Sequence, residues 1–383
     1  MKTLTLLFSV LLSASLPARD FVTANDQARF IAGLALPSGS PLEPYTHDPG
    51  WKAHAAEMDA AWIKCETKSL AKTRAWAGTF IGRAHRSNAP MFYMFSGPDI
   101  LFANTMFPDA STYVLCGTEP IGNVPDITRL DHGAIDPALG NLRKTLSTVL
   151  RFSYFITKDM RVDLADQRLG GTLPVFYFFL ARLGYTIEST QFVNLDSGGN
   201  LGRGRTPGVK VTFSGGGGRS QTLYYFKSDL SNSGVGSGGV LPFCRKHGQG
   251  NGLLKAASFL LHEGGFSTVR DFLLTSCRVL VQDDSGVPVR YFDPVRWQVR
   301  YFGNYGGTTE LFAKYYQPDL MEKYQRTSPA PLDFVLSYQW NPKQAVIMVA
   351  TQTGAPPPPR AEQAIPSKAA KRAPARTLRR KSP

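Results

Sequence analysis

Two stretches of the chain concentrate the side chains that could do chemistry. Ser96-Gly97-Pro98-Asp99 sits where an apolar strand gives way to a helix, and Glu119 follows Asp99 by 20 residues at the end of a second apolar run. Asp283-Asp284-Ser285-Gly286 ends a third such run. A serine at a strand-to-helix turn suggests a nucleophile. The nucleophile elbow, however, needs Gly-x-Ser-x-Gly, and Met94 and Pro98 stand where the glycines belong. A capping box is the simpler reading, with Ser96 at the N-cap, Pro98 in the first turn and Asp99 accepting a backbone N–H. An acid at the position of Glu119 can hold a ribose in nucleotide-binding sheets, but the glycine pattern that goes with it is missing, so no cofactor is expected. Asp283 and Asp284 offer carboxylates to a cation without the further oxygen ligands of a calcium loop, and a strand-ending turn explains them as well.

The other polar clusters are weaker. His262-Glu263 opens like a zincin helix, but Phe266 occupies the second histidine position and Gly264-Gly265 breaks the helix. His47 and His54 have no third ligand at a useful spacing. Asp126, Asp131, His132 and Asp136 share a loop with no nucleophile tied to it. Cys65, Cys116, Cys244 and Cys277 match no zinc spacing. Three disulfide pairings are open to them, and so are four free thiols. No metal is expected. If a ligand site exists, it should lie around Ser96, Asp99 and Glu119, with Asp283 and Asp284 as further candidates.

The elements that would position these residues begin with a helix over 51–65. There Trp51, Ala55, Met58, Trp62 and Cys65 recur on one face, with His54 off that stripe. Residues 91–95 and 112–116 read as apolar strands joined by a helix ending near Met106. That is a βαβ crossover in a buried parallel sheet, which would bring both strand ends to one edge. Helices follow over 139–153 and 172–183. From 186 onward the pattern becomes strand-rich, with strands near 188–195, 208–213 and 221–227 separated by glycine-rich loops. None of these loops precedes a helix as a phosphate loop would. Helices over 251–262 and 267–276, a strand over 278–282, a hairpin over 287–302 turning at Asp293-Pro294, a helix over 309–324 and a strand near 333–338 complete the body. The fold class is therefore α/β: a parallel βαβ-containing sheet flanked by helices, with an antiparallel second half. The body spans 51–353, as one unit or as subdomains 51–185 and 186–353, after an extension over 19–50.

The ends differ from the body. Met1 and Lys2 precede an apolar run from Leu4 to Leu12 and the small residues Ser13, Ala14 and Ser15. Residues 1–18 read as a secretory signal peptide, cleaved after Ser15 or Ala18, which implies a periplasmic or secreted protein. No other apolar stretch is long enough to span a membrane. The formal net charge is +14, but residues 354–383 hold eight basic residues and one acidic, a net +7. Half the excess charge thus sits in a Pro/Ala-rich tail with almost no large apolar residue, which reads as disordered. The body is only mildly basic, so no nucleic-acid partner is expected for it. The tail suits an anionic cell-envelope polymer.

The segments FSGPDILFANTMFPDASTYVLCGTEPIG (95–122), VQDDSGVPVRYF (281–292) and WQVRYFGNYGGTTELFAKYYQPDL (297–320) resemble a family of secreted bacterial proteins that pair an FSGPD segment with a later QDDSG segment. The resemblance implies export and one shared architecture over most of 50–340, and no activity. Two classes of function stay open. One is a non-catalytic envelope protein that binds a ligand or partner. The other is an exported hydrolase-like enzyme with acidic residues at the carboxyl edge of the sheet. On the tail the expectation is specific. Deleting 355–383 should leave the melting temperature nearly unchanged, and should weaken binding to an anionic polymer at low salt, since such contacts are screened over about 10 Å at 0.1 M. Differential scanning calorimetry and salt-gradient elution check both halves.

Overall fold

A computed structural model describes residues 21–354, apart from 85–86, 156–168, 257, 337 and 339–340. Residues 1–20, which include the expected signal peptide, and residues 355–383 of the basic tail lie outside the described residues. In chain order the helices and strands are α1 (Ala24–Ile31), α2 (Pro49–Cys65), α3 (Ala71–Phe80), β1 (Met91–Tyr93), α4 (Ile100–Met106), β2 (Thr112–Gly117), α5 (His132–Phe152), α6 (Thr172–Arg182), β3 (Thr186–Leu195), β4 (Thr206–Ser214), β5 (Ser220–Lys227), α7 (Asn232–Gly238), α8 (Val240–Lys246), β6 (Gly250–Leu254), α9 (Ser267–Ser276), β7 (Cys277–Gln282), β8 (Trp297–Gly303), α10 (Pro318–Thr327) and β9 (Val346–Gln352).

The nine strands form one sheet in the order β3-β4-β5-β2-β1-β6-β7-β9-β8. The five central strands, β5 to β7, are parallel. The expected parallel βαβ unit is present, with Met91 paired to Tyr113 and Tyr93 to Leu115. Antiparallel strands close both edges: β4 and β3 beyond β5, β9 and β8 beyond β7.

Strand alternation sorts the core into two layers. Met91, Tyr93, Tyr113 and Leu115 face one layer with α1 to α6. Phe92, Met94, Val114 and Cys116 face the other with α8 and α9. Strands buried on both faces must be apolar throughout, which is why β1 and β2 show no polar alternation. α5 follows the opposite logic. Leu139, Leu142, Leu146 and Val149 enter the core while Lys144 and Ser147 face solvent.

Several sequence expectations are corrected. Residues 250–254 form β6, a buried central strand, where a helix over 251–262 was expected. The short apolar run Leu253-Leu254 suits either element, and a single 3-10 turn, Ser258–His262, follows it. The expected hairpin over 287–302 is only half formed. Val289–Tyr291 is a 3-10 turn, and β8 pairs instead with β9. Pro318 divides the expected helix over 309–324 into a 3-10 segment, Glu310–Tyr315, and α10. The closing strand is β9, not a strand near 333–338. Asn232–Gly238 is a short helix capped by Ser231, despite its glycines. α2 continues through a π-helical turn, Glu66–Leu70, into α3.

All four cysteines are buried free thiols. Burial pushes the Cys65 thiol up to about 12 and raises the other three as well. His54 is fully buried although it lies off the apolar stripe of α2, because α1 and α5 pack on that side. Its Nε2 donates to the Ile31 carbonyl at 2.9 Å, and its Nδ1 accepts from Arg143 at 3.2 Å. A second proton would have to sit on Nδ1, facing a guanidinium. Burial, followed by the charges of Arg143 and Arg182, lowers the His54 pKa from 6.5 to about 4. The native state thus refuses a proton that the unfolded chain accepts. The contribution is complete above pH 6.5 and is lost as pH falls toward 4. At roughly 1.36 kcal/mol per pKa unit this is about 3 kcal/mol. Urea unfolding at a series of pH values should show the decline, and His54→Gln should flatten it by that share.

Candidate functional site

The carboxyl ends of the five parallel strands meet at one edge, so the loops 94–99, 118–121, 228–231, 255–256 and 283–286 gather there. From β1 the chain moves to β2 through α4, in the first core layer. From β6 it moves the opposite way, to β7, through α9 in the second layer. β1 and β6 are neighbours whose connections leave on opposite sides. Such a reversal opens a crevice between the two loops, and open α/β sheets bind ligands there.

Asp99 stands on the β1 side of that reversal and Lys255 on the β6 side. Their carboxylate and ammonium are 2.8 Å apart, with both side chains 2% exposed. The same Asp99 oxygen accepts from the Tyr93 hydroxyl at 3.0 Å, and the other oxygen accepts from Phe102 N at 3.1 Å. Lys255 also donates to the Ser153 carbonyl and lies 4.4 Å from the centre of the Phe102 ring. Ser153 caps α5 in a left-handed conformation (φ 68°), which turns its carbonyl inward. Burial pushes the Asp99 carboxyl up, while the Lys255 ammonium and the hydrogen bonds pull it back.

Asp99, not Ser96, is the N-cap of α4. Phe95 (φ 61°) and Gly97 (φ 52°) are both left-handed, so the chain turns twice before the helix begins and the cap moves three residues on. The Ser96 hydroxyl instead donates to the Gly97 and Cys116 carbonyls and accepts from Cys116 N, fastening the β1 loop to β2.

Glu119 is 2% exposed and lies against the Ser96 turn. A Cβ on Gly97 would stand 3.6 Å from its carboxyl carbon. Tyr225 of β5 donates to the Glu119 carboxylate at 3.2 Å and to its carbonyl at 3.0 Å. Gly117 makes room for both groups. A Cβ there would fall 2.2 Å from the carboxylate and 2.9 Å from the Tyr225 hydroxyl.

Two adjoining cavities share the Phe95, Gly97 and Glu119 wall. One, of about 20 Å³, is lined also by Tyr93, Ser96, Asp99, Tyr154 and Lys255. That is room for one water among polar groups. The other, of about 200 Å³, opens over the ends of β1, β2 and β5. Gly117, Thr118, Ser228, Asp229, Leu230, Leu260 and Phe266 complete its lining.

Of the residues singled out from sequence, Ser96, Asp99 and Glu119 come together at one cavity. Asp283 lies just behind it, accepting from Ala256 N at 2.7 Å, from Ser285 N at 2.8 Å and from the Ser285 hydroxyl. It locks the turn after Lys255 and lines neither cavity. Asp284 does not join the group. It is buried within electrostatic reach of Tyr305 and Tyr324, beneath α10. Burial, and then the charge of Asp283, raises its pKa well above the carboxylate range.

The loop acids 126 and 136 have structural roles, pairing with Arg129 and Arg143. Glu263 pairs with Lys314 at 3.0 Å. Among the described residues no group of three or more metal-ligating side chains occurs. Tyr93, Lys255 and Tyr225 escaped the sequence reading. Only the short apolar run ending at Leu254, followed at once by Lys255, could have marked the last strand end. No family model, curated protein or solved structure matches the chain.

The ion pair gives a stability test. Lys255→Met leaves a buried carboxylate uncompensated and should cost about 3–5 kcal/mol. Adding Asp99→Asn, which keeps an N-cap oxygen, should restore most of that loss. Denaturant melts of the single and double variants measure the coupling.

Proposed function

We propose that this is an exported binding protein that takes a small organic ligand in the 200 Å³ cleft at the carboxyl edge of its sheet. One observation carries the reading. Gly117 and Tyr225 hold the Glu119 carboxylate at the wall between that cleft and the Ser96 turn, and Phe95, Leu230, Leu260 and Phe266 supply its apolar side chains beside Thr118, Ser228 and Asp229. An apolar hollow with a few convergent polar groups is the usual form of a small-molecule site. Support for export comes from the cationic and apolar start of the sequence and from the resemblance of three segments to secreted bacterial proteins. Among the described residues no helix is long and apolar enough to cross a membrane. On this reading the basic tail is a contact for an anionic envelope polymer.

Hydrolysis is the second reading, because Asp99 and Glu119 line the water-sized cavity next to the cleft. One experiment separates the two. Screening small organic molecules by amide NMR should give ligands that shift residues 95–97, 117–119 and 228–230. Thr118→Trp, at an exposed position on the rim, should abolish these shifts without lowering the melting temperature by more than a few degrees. Mass spectrometry should recover the bound molecules intact. Their cleavage would favour the hydrolase, and shifts confined to other surfaces would overturn both readings.

A further inference from the structure

We infer that the cleft selects a single-ring aromatic molecule bearing a hydroxyl, a ligand of the phenol class. The inference rests on the binding reading above and names its ligand class. Strand order sorts the lining. Thr118 follows β2, and Ser228 and Asp229 follow β5, so these polar side chains come from one side of the cleft. Phe95 follows β1, and Leu260 and Phe266 lie in the connection from β6 to α9, so both rings come from the other side. In the sheet β5 neighbours β2, and β1 neighbours β6. A ligand that fills the cleft thus meets hydrogen-bonding oxygens at one end and aromatic rings at the other.

The rings favour an aromatic body. Phe95 and Phe266 meet edge to face with ring centroids 5.8 Å apart. A third ring extends such a pair by stacking on a face or pointing an edge at one, and gains over an aliphatic body of equal area. The backbone singles out the Phe95 ring. Phe95 is held at φ 61°, a conformation that a bulky residue rarely adopts and a glycine takes without cost. Backbone strain of this kind gathers at ligand clamps. Size narrows the class further. An apolar cavity of about 150 Å³ accepts benzene, so a cleft of about 200 Å³ holds one ring and a small substituent. A hydroxyl substituent both donates and accepts, which suits the hydroxyls of Thr118 and Ser228 and the carboxylate of Asp229.

Three probes of similar size test the inference: phenol, cyclohexanol and fluorobenzene, titrated into the full chain and followed by amide NMR at residues 95–97, 117–119 and 228–230. Phenol should bind about three- to tenfold more tightly than cyclohexanol, the scale of an aromatic pair beyond area burial. It should bind about two- to tenfold more tightly than fluorobenzene, the scale of one net hydrogen bond. Phe266→Leu should bring the phenol-to-cyclohexanol ratio toward one, because leucine keeps the apolar bulk and loses the π face. Phe95→Leu is the second variant, and circular dichroism checks the fold of both. Equal or tighter binding of cyclohexanol, or a ratio unmoved in both variants, would overturn the ring selection and leave the cleft standing as a site. Equal or tighter binding of fluorobenzene would overturn the hydroxyl. If all three probes leave those residues unshifted while other screened molecules shift them, the ligand class fails alone. If no molecule shifts them, this inference and the reading beneath it fail together.

Discussion

The nine-stranded sheet has a short seam near its middle. β1 and β6 pair through only two residue couples, Met91 with Asn251 and Phe92 with Gly252, whereas β2 and β5 pair through six. Everything from β2 outward on one side and from β7 outward on the other meets at this seam. The Asp99–Lys255 ion pair crosses it just beyond the last couple, and the two residues follow strands that belong to opposite halves of the sheet. Removing two charges from water is expensive, and such a pair persists only with further hydrogen bonds to both partners. Tyr93, Phe102 and Ser153 supply them. Ser153 brings in α5, and Asp283, through Ala256, brings in the end of β7. The seam, the helix layer and the candidate site thus share one set of polar contacts.

The neighbouring cleft depends on what is absent. Gly117 has no side chain, and its space holds the Glu119 carboxylate and the Tyr225 hydroxyl. Without that vacancy at the end of β2, Glu119 would swing outward and the wall between the two cavities would open. Gly97 serves the same group from the other side, since its left-handed backbone lets the β1 loop fold beneath the carboxylate.

Sequence pattern reached the parallel unit and its shared edge because β1 and β2 are continuous apolar runs on either side of a helix, a local signature. It placed Ser96, Asp99 and Glu119 at that edge for the same reason. The reading failed where long-range pairing decides the structure. Leu253-Leu254 is too short for periodicity to separate strand from helix, and β6 exists because β1 and β7 flank it. With β6 unread, Lys255 had no strand to end and Asp99 had no visible partner. The cap was misassigned because two consecutive loop turns of opposite appearance, at Phe95 and Gly97, shift the helix start. A phenylalanine gives no warning of a left-handed backbone. Asp283 and Asp284 look equivalent as neighbours in a strand-ending turn, but adjacent residues there point to different sides of the sheet edge, one toward the seam and one under α10.

β9 runs antiparallel to β7, with Thr351 opposite Val279 and Met348 opposite Gln282. The chain therefore leaves the sheet at the amino edge, beside Gln249 and Arg296. The net +7 of residues 354–383 begins at that pole. Glu119 and Asp229 mark the other. The cleft opens at the carboxyl edge, so its mouth and the point where the tail departs lie at opposite ends of the strands. Whatever engages the chain just beyond β9 meets the molecule at the end away from the cleft, with the length of the sheet between them.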